Sequence, residues 1–219
     1  MYTLYIGNKN YSTWSLRAWV LMKALDIPFA EQRVPLYRPD SRAKLREVSP
    51  SGRVPCLHDG DLIVWDTLAI AEYLAERHAG VWPADATARA WARSAAAEMH
   101  SGFARLRDEM GMNVRLRMSK LPSPAVAAEI ARILALWAEG RQRFGRADDF
   151  LCGAFGAVDA FWCPVAFRFQ TYGVTLAGVA AEYCAALLER PEMREWAAAA
   201  ECETERIPGF DPPELQAQQ

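Results

Sequence analysis

The chain has five cysteines, Cys56, Cys152, Cys163, Cys184 and Cys202, and no C-x-x-C pair among them. An odd count closes no complete disulfide framework. Only three histidines occur, His58, His78 and His100, at no metal-ligand spacing, so no metal is expected. There is no run of 18 apolar residues and no charged-then-apolar leader after Met1, which gives no sign of a membrane span or of secretion. An excess of charge is lacking too. Lys and Arg number 25 against 27 Asp and Glu, a net charge of −2, and nothing in that balance calls for nucleic acid. A reducing, cytoplasmic setting is the expectation that follows.

Apolar residues are plentiful, 52% of 219, enough for a sizeable core in one large domain or two small ones. Residues 3–7 form a β-branched and aromatic run that reads as a strand. Leu16, Trp19, Val20 and Ala24 keep helical spacing, and Asp26-Ile27-Pro28 closes that segment. Residues 29–36 alternate as a second strand, parallel to the first if the helix between them is a crossover. Residues 38–48 are basic and weakly helical. Two short strands follow, beginning at Val54-Pro55 and at Leu62 and joined through Asp59-Gly60. A helix is then expected over 67–78. At His78-Ala79-Gly80-Val81-Trp82-Pro83 the pattern breaks, because glycine ends a helix and proline bars its continuation. Beyond Asp85 no strand pattern occurs. Helical runs cover 86–110, 125–144, 159–172, 179–189 and 193–206. The expected division is 1–79, with order βαβαββα, a linker at 80–85, an all-α domain at 86–210, and a disordered tail at 211–219.

The stretch 49–70 organises the rest. Ser49-Pro50-Ser51-Gly52 is turn-forming, and Val54-Pro55 opens a strand where the proline's missing N–H is not needed. An X-Pro bond admits the cis form, and a cis bond here turns the Val54 N–H and C=O so that an incoming peptide can pair with them as another strand would. Twelve residues on, Asp66-Thr67 stands where a helix begins, beside unpaired N–H groups that favour a carboxylate. Each feature alone has an ordinary structural role. Together they describe a receptor for a small acidic peptide. Near the first helix, Ser12, Thr13 and Ser15 offer three hydroxyls, any of which serves as a plain N-cap.

The order and spacing of Arg53-Val54-Pro55 and Asp66-Thr67 resemble the glutathione-binding half of the cytosolic glutathione transferases. The order βαβαββα is that of the thioredoxin-like domain, and an all-helical second domain fits the same family. The resemblance is to the serine-type, theta- and zeta-like members, and it implies several roles. Ser12 matches the serine that donates its hydroxyl hydrogen to the glutathione sulfur, with Thr13 matching the second serine of the zeta pattern. Ser12-Thr13-Trp14-Ser15 stands where redox proteins of this fold carry C-x-x-C, so disulfide exchange is not expected there. Val54, oriented by Pro55, pairs with the cysteinyl backbone. Asp66 and Thr67 hold the γ-glutamyl end, and Arg53 flanks it. Glutathione is the implied cosubstrate, a small electrophile the second substrate, and a homodimer the expected assembly. Asp159, three residues after Gly156, matches the capping box that starts the core helix of the second domain; it is given a part in folding and none in catalysis.

A serine is enough for the chemistry. A hydrogen bond to a charged acceptor contributes roughly 1.5–3 kcal/mol, and a helix N-terminus adds about 0.3–1 kcal/mol, occasionally ~2. That sum leaves a thiol of ordinary pKa near ~8.5 mostly ionised at neutral pH. Within the family, rivals to simple conjugation are a cis-trans isomerase of the maleylacetoacetate type, a reductase or dehalogenase, and a non-catalytic interaction module. Residues 110–120 carry Arg115, Arg117 and Lys120, read as one solvated helix face or as a helix over the sulfur that receives an anionic second substrate. His100 reads first as a packed core or interface residue, with His100 and Asn113 as further candidates for the cleft.

Overall fold

The structure is a computed structural model that describes residues 1–145, 150–207 and 209–211. Its first part runs β1 (Tyr2–Ile6), α1 (Thr13–Ala24), β2 (Phe29–Arg33), α2 (Ser41–Val48), β3 (Cys56–Asp59), β4 (Leu62–Trp65) and α3 (Thr67–Ala75). The sheet order is β2-β1-β3-β4, with β1 and β2 parallel and the other pairs antiparallel. That is the thioredoxin-like arrangement expected from the sequence. The elements are shorter than the patterns suggested. β3 starts at Cys56, after the Val54-Pro55 bond, which is cis. α3 stops at Ala75, well before Gly80.

The helical part comprises α4 (Ala86–Ser101), α5 (Ala104–Glu109), α6 (Pro124–Phe144), α7 (Ala157–Tyr172), α8 (Gly178–Glu189) and α9 (Pro191–Glu201). The single run expected over 86–110 is two helices, because Gly102 leaves the helical region and Phe103 turns left-handed at φ 57°. The basic run at 115–120 is irregular, not helical, as it approaches Pro122 and Pro124. Almost every residue of α7 is buried. It packs against α1, α4 and α8 and so joins the two parts through one core. Trp137, Trp162, Phe169 and Tyr183 interlock there with ring centroids 4.9–6.0 Å apart.

The start of α7 explains its glycine cap. Asp159 Oδ2 accepts from Gly156 N at 3.0 Å, and Oδ1 accepts from Leu151 N and Tyr183 Oη at 3.1 and 2.9 Å. A Cβ on Gly156 would lie 3.0 Å from the Val81 carbonyl oxygen and 3.2 Å from that of Gly80. The linker backbone therefore occupies the space of a cap side chain. Burial pushes the Asp159 carboxyl up to about 6 against four hydrogen bonds that favour its charge.

The segment after α9 turns back across the molecule. Glu203 accepts from the backbone N–H of Lys9 and of Asn10, at 2.7 and 3.1 Å. Two successive N–H groups on one carboxylate form an anion-binding nest within the chain. Arg33 reaches Glu203 and Glu205, and Arg38 reaches Glu205. Of the expected tail at 211–219, residues 212–219 lie outside the described residues. Asp211 is buried and accepts from Tyr11 Oη at 3.1 Å and Asn113 Nδ2 at 2.7 Å.

Candidate functional site

Trp14, Ser51, Arg53, Val54, Pro55, Trp65, Asp66, Thr67 and His100 enclose a cleft of about 410 Å³. Volume does not single it out, since clefts of about 490 and 520 Å³ occur elsewhere. Its lining does. Five of the seven residues singled out from the sequence, Arg53, Val54, Pro55, Asp66 and Thr67, meet here, and the size suits a small ligand. The turn at Ser51-Gly52 delivers Arg53 and Val54. Gly52 takes φ +62°, a left-handed conformation that suits glycine.

Asp66 caps α3 and is bent hard to do so. Its φ of 75° with ψ 136° is costly for a residue with a Cβ, on the order of 1–3 kcal/mol. Its Oδ1 accepts from Leu68 N at 2.8 Å. The carboxylate stays nearly half exposed, and Thr67 beside it is buried. His100, near the end of α4, completes this corner. Its Nε2 lies 3.4 Å from Asp66 Oδ2, and its Nδ1 is 3.4 Å from Thr67 Oγ1. Desolvation holds the His100 imidazole below its usual pKa; Arg17 and Arg107 push the same way and Asp66 opposes them.

Ser12 and Thr13 stand at the head of α1, and the lining takes in their neighbour Trp14. Ser12 is the N-cap itself. Its Oγ accepts from Ser15 N at 3.3 Å and its O–H donates to Ser15 Oγ at 2.8 Å. Ser15 Oγ in turn accepts from Gly7 N at 2.9 Å, which ties the helix start to the end of β1. Both Ser12 and Thr13 are largely buried, at 7% and 6% exposure. The cap uses a Ser12 lone pair; the O–H is held only by a neighbouring hydroxyl, a neutral acceptor that an anion would outcompete.

Behind the cleft wall lies a group of cations. Arg17 is 1% exposed, and none of its guanidinium nitrogens has a hydrogen-bond partner among the described residues. Its charge faces the rings of Trp14 and Phe161, 4.5 and 5.0 Å from their centroids. Arg107 lies 5.1 Å from the Trp14 ring centroid and donates to the Gly102 and Met99 carbonyls. Arg168 donates to Met110 O, and its Nη1 has no partner among the described residues. Burial drives the Arg17 guanidinium well below its ordinary pKa and brings Arg168 down to about 9.

The other expected cations are elsewhere. Arg115 donates to Tyr11 Oη and to the carbonyls of Glu203 and Glu205, Arg117 to Val114 O, Leu116 O and Gln170, and Lys120 to Glu109 O. They fasten loops and do not overhang the cleft. Asn113 is buried and accepts from Asn10 Nδ2 at 2.9 Å, away from the lining. His100, in contrast, belongs to the cleft, against its first reading as core. No local pattern marks it, since α4 brings it 33 positions to reach Thr67. Arg17 did carry a signal: it is the one charge between Trp14 and Met22.

Comparison with known proteins agrees with this fold. Residues 11–77 match the family described as Glutathione S-transferase, N-terminal domain. A "Probable maleylacetoacetate isomerase" of Caenorhabditis elegans is 30% identical over 102 residues, 46% of this chain and 47% of that one. A "Dichloromethane dehalogenase" of Methylorubrum extorquens is 38% identical over 65 residues, 28% of this chain and 23% of that one. The matched stretches thus span about half or less of these curated relatives. A glutathione transferase homologue from Burkholderia gl BGR1, solved with bound glutathione, superposes with TM-score 0.69 at 24% identity, covering 92% of this chain and 99% of that one. Among the described residues no helix is long and apolar enough to cross a membrane. From Tyr11 to Arg77 the chain thus matches the glutathione S-transferase N-terminal domain, and it shares the two-part fold over most of its length.

Proposed function

We propose that this protein is a glutathione transferase of the serine type, which holds glutathione in the 410 Å³ cleft and ionises its thiol for attack on a small electrophilic carbon. One observation carries the reading. The turn before β3 and the head of α3 bring Arg53, Val54, Pro55, Asp66 and Thr67 to one cavity, in a chain whose N-terminal domain matches this family. Val54 offers its main chain to the cysteinyl unit, with Pro55 fixing its direction. Asp66 takes the γ-glutamyl ammonium. Thr67 and the first N–H groups of α3 take the adjoining carboxylate, and Arg53 flanks them. Ser12 turns its O–H from Ser15 to the sulfur and keeps its cap lone pair on Ser15 N; Thr13 is the alternative hydroxyl for this role. The thiolate then forms the S–C bond while the leaving group departs with its electron pair.

The test is a titration of bound glutathione by thiolate absorbance in the parent, Ser12→Ala and Thr13→Ala proteins. The parent's bound thiol is expected to titrate well below free glutathione, and only Ser12→Ala to restore the ordinary value. Restoration by Thr13→Ala alone moves the role one residue along. Absence of any glutathione binding leaves a non-catalytic module as the reading.

The worm relative favours a second reading, a glutathione-dependent cis-trans isomerase of the maleylacetoacetate type. The glutathione thiolate adds across the cis double bond, the resulting C–C single bond rotates, and elimination of the thiolate breaks the S–C bond and restores the double bond as trans. Turnover of a cis-enone diacid with no net loss of thiol separates it from conjugation; consumption of two thiols per turnover marks a reductase or dehalogenase. A cytoplasmic homodimer completes the proposal. Trp65 on the edge strand β4 is 45% exposed, and with Ile63, Leu68 and Ala69 it lines an apolar face suited to a second copy. Five free thiols suit a reducing compartment.

A further inference from the structure

His100 touches both residues proposed for the γ-glutamyl end of the ligand. Its ring stands edge-on to Trp14, with centroids 5.1 Å apart, and 6.2 Å from that of Phe161, so packing fixes its plane. The contacts also choose its tautomer. A lone pair on Nε2 would oppose the Asp66 carboxylate 3.4 Å away, so the ring proton belongs on Nε2 and Nδ1 accepts from the Thr67 hydroxyl. Asp66 Oδ1 is already fixed by Leu68 N. Each carboxylate oxygen thus faces one donor and keeps a lone pair for a ligand, and its plane is set from two helices that belong to different parts of the fold.

We propose that His100 is a positioning residue for the ligand's α-ammonium group: it holds Asp66 in the orientation that receives that group and so sets the preference for a γ-glutamyl peptide with a free amine. The proposal rests on the glutathione reading of the cleft and goes beyond it by making recognition of the amine depend on the helical part of the chain. The charged groups around the ring are Asp66 at the head of α3, Arg17 on α1 and Arg107 on α5; α7 offers only the Phe161 ring. The guanidinium groups and partial burial keep the ring neutral at neutral pH. Protonation places a second proton on Nδ1 and a cation against the carboxylate that the ammonium needs. Glutathione affinity then falls on the acid side. A ligand without the ammonium does not share that fall.

The experiment measures binding of glutathione and of N-acetylglutathione by quenching of tryptophan fluorescence, Trp14 and Trp65 being in the lining. Parent, His100→Gln and His100→Phe are compared at about pH 7 and about pH 5.5, with a thermal melt of each. The parent is expected to prefer glutathione by about two- to fivefold at the higher pH, the size of a half-exposed charge pair. His100→Phe brings the two affinities together. His100→Gln, whose amide still donates to Asp66, keeps most of the preference and loses its pH dependence, and in both variants the bound thiol's pKa is unmoved. An unchanged preference in a folded His100→Phe protein overturns the proposal. So does a raised thiol pKa in His100→Gln with the preference intact, which would put the ring at the sulfur. Should His100→Phe fail to fold, the pH dependence of the preference in the parent, against His100→Gln, decides the matter. Binding of neither ligand by the parent sinks the glutathione reading and this proposal together; binding of both without preference sinks only this one.

Discussion

On one side of the loop that leads into α1, Lys9, Glu31, Arg33, Glu203 and Glu205 interlock, and each has a partner of opposite sign within 3.2 Å. On the other side, Arg17, Arg107 and Arg168 are buried or half-buried, and none of them takes part in an ion pair among the described residues. Glu129 acts on Arg107 only from a distance. The first group is paired where it enters the interior and fastens backbone. The second has no direct counterion beside the cleft wall, and Asp66 acts on Arg17 only from a distance. A buried pair is costly to break, whereas a buried lone cation is costly to keep. The difference teaches that the loop before α1 is held by charge, and that the region behind Trp14 gives up stability to put a positive field next to the cleft.

The largest effect expected from breaking this contrast is at Glu203. Glu203→Ala strands the buried N–H groups of Lys9 and Asn10 and removes a partner of Arg33, a loss of about 3–5 kcal/mol in denaturant unfolding. Arg17→Met should move stability the other way. Removing an unpaired buried cation gains about 1–4 kcal/mol, against about 0.5–2 kcal/mol of lost attraction to Trp14 and Phe161, a net rise on the order of 1–2 kcal/mol by the same assay. The thiol of bound glutathione should titrate higher in that variant, because the nearby positive field is weaker. If Arg17→Met destabilises the protein instead, the cation is paired in solution and the contrast fails. The smallest effect belongs to Arg33→Met. That side chain is about a third exposed, so solvent screens its pairs with Glu203 and Glu205, and a loss of about 0.5–1 kcal/mol is expected.

The elements legible in the sequence were those whose signal is local. Ser12-Thr13, Val54-Pro55 and Asp66-Thr67 each sit at a helix or strand start, where residue type and position along the chain already limit the geometry. Trp14, Ser51 and Trp65 line the cleft because they flank those same starts. What escaped was set by distant contacts. His100 gains its role from Asp66 and Thr67, and the Ala-rich face around it looks like any packed helix. Arg115 suggested a charged helix face, yet its partners are Tyr11 and carbonyls some 90 positions downstream. The division of 86–110 into two helices hangs on Gly102 and the left-handed Phe103, and an aromatic residue rarely advertises that conformation.

The turn back of residues 203–211 over the loop at 8–11 has a consequence for biosynthesis. Lys9 leaves the ribosome 194 residues before the carboxylate that clamps its N–H. At about 5–20 residues per second, that is an interval on the order of 10–40 s. Throughout it β1 and β2 can pair, but the approach to Ser12 lacks its fastening. A nascent chain released before residue 203 would carry the whole matched N-terminal domain and still lack the clamp on the loop before Ser12.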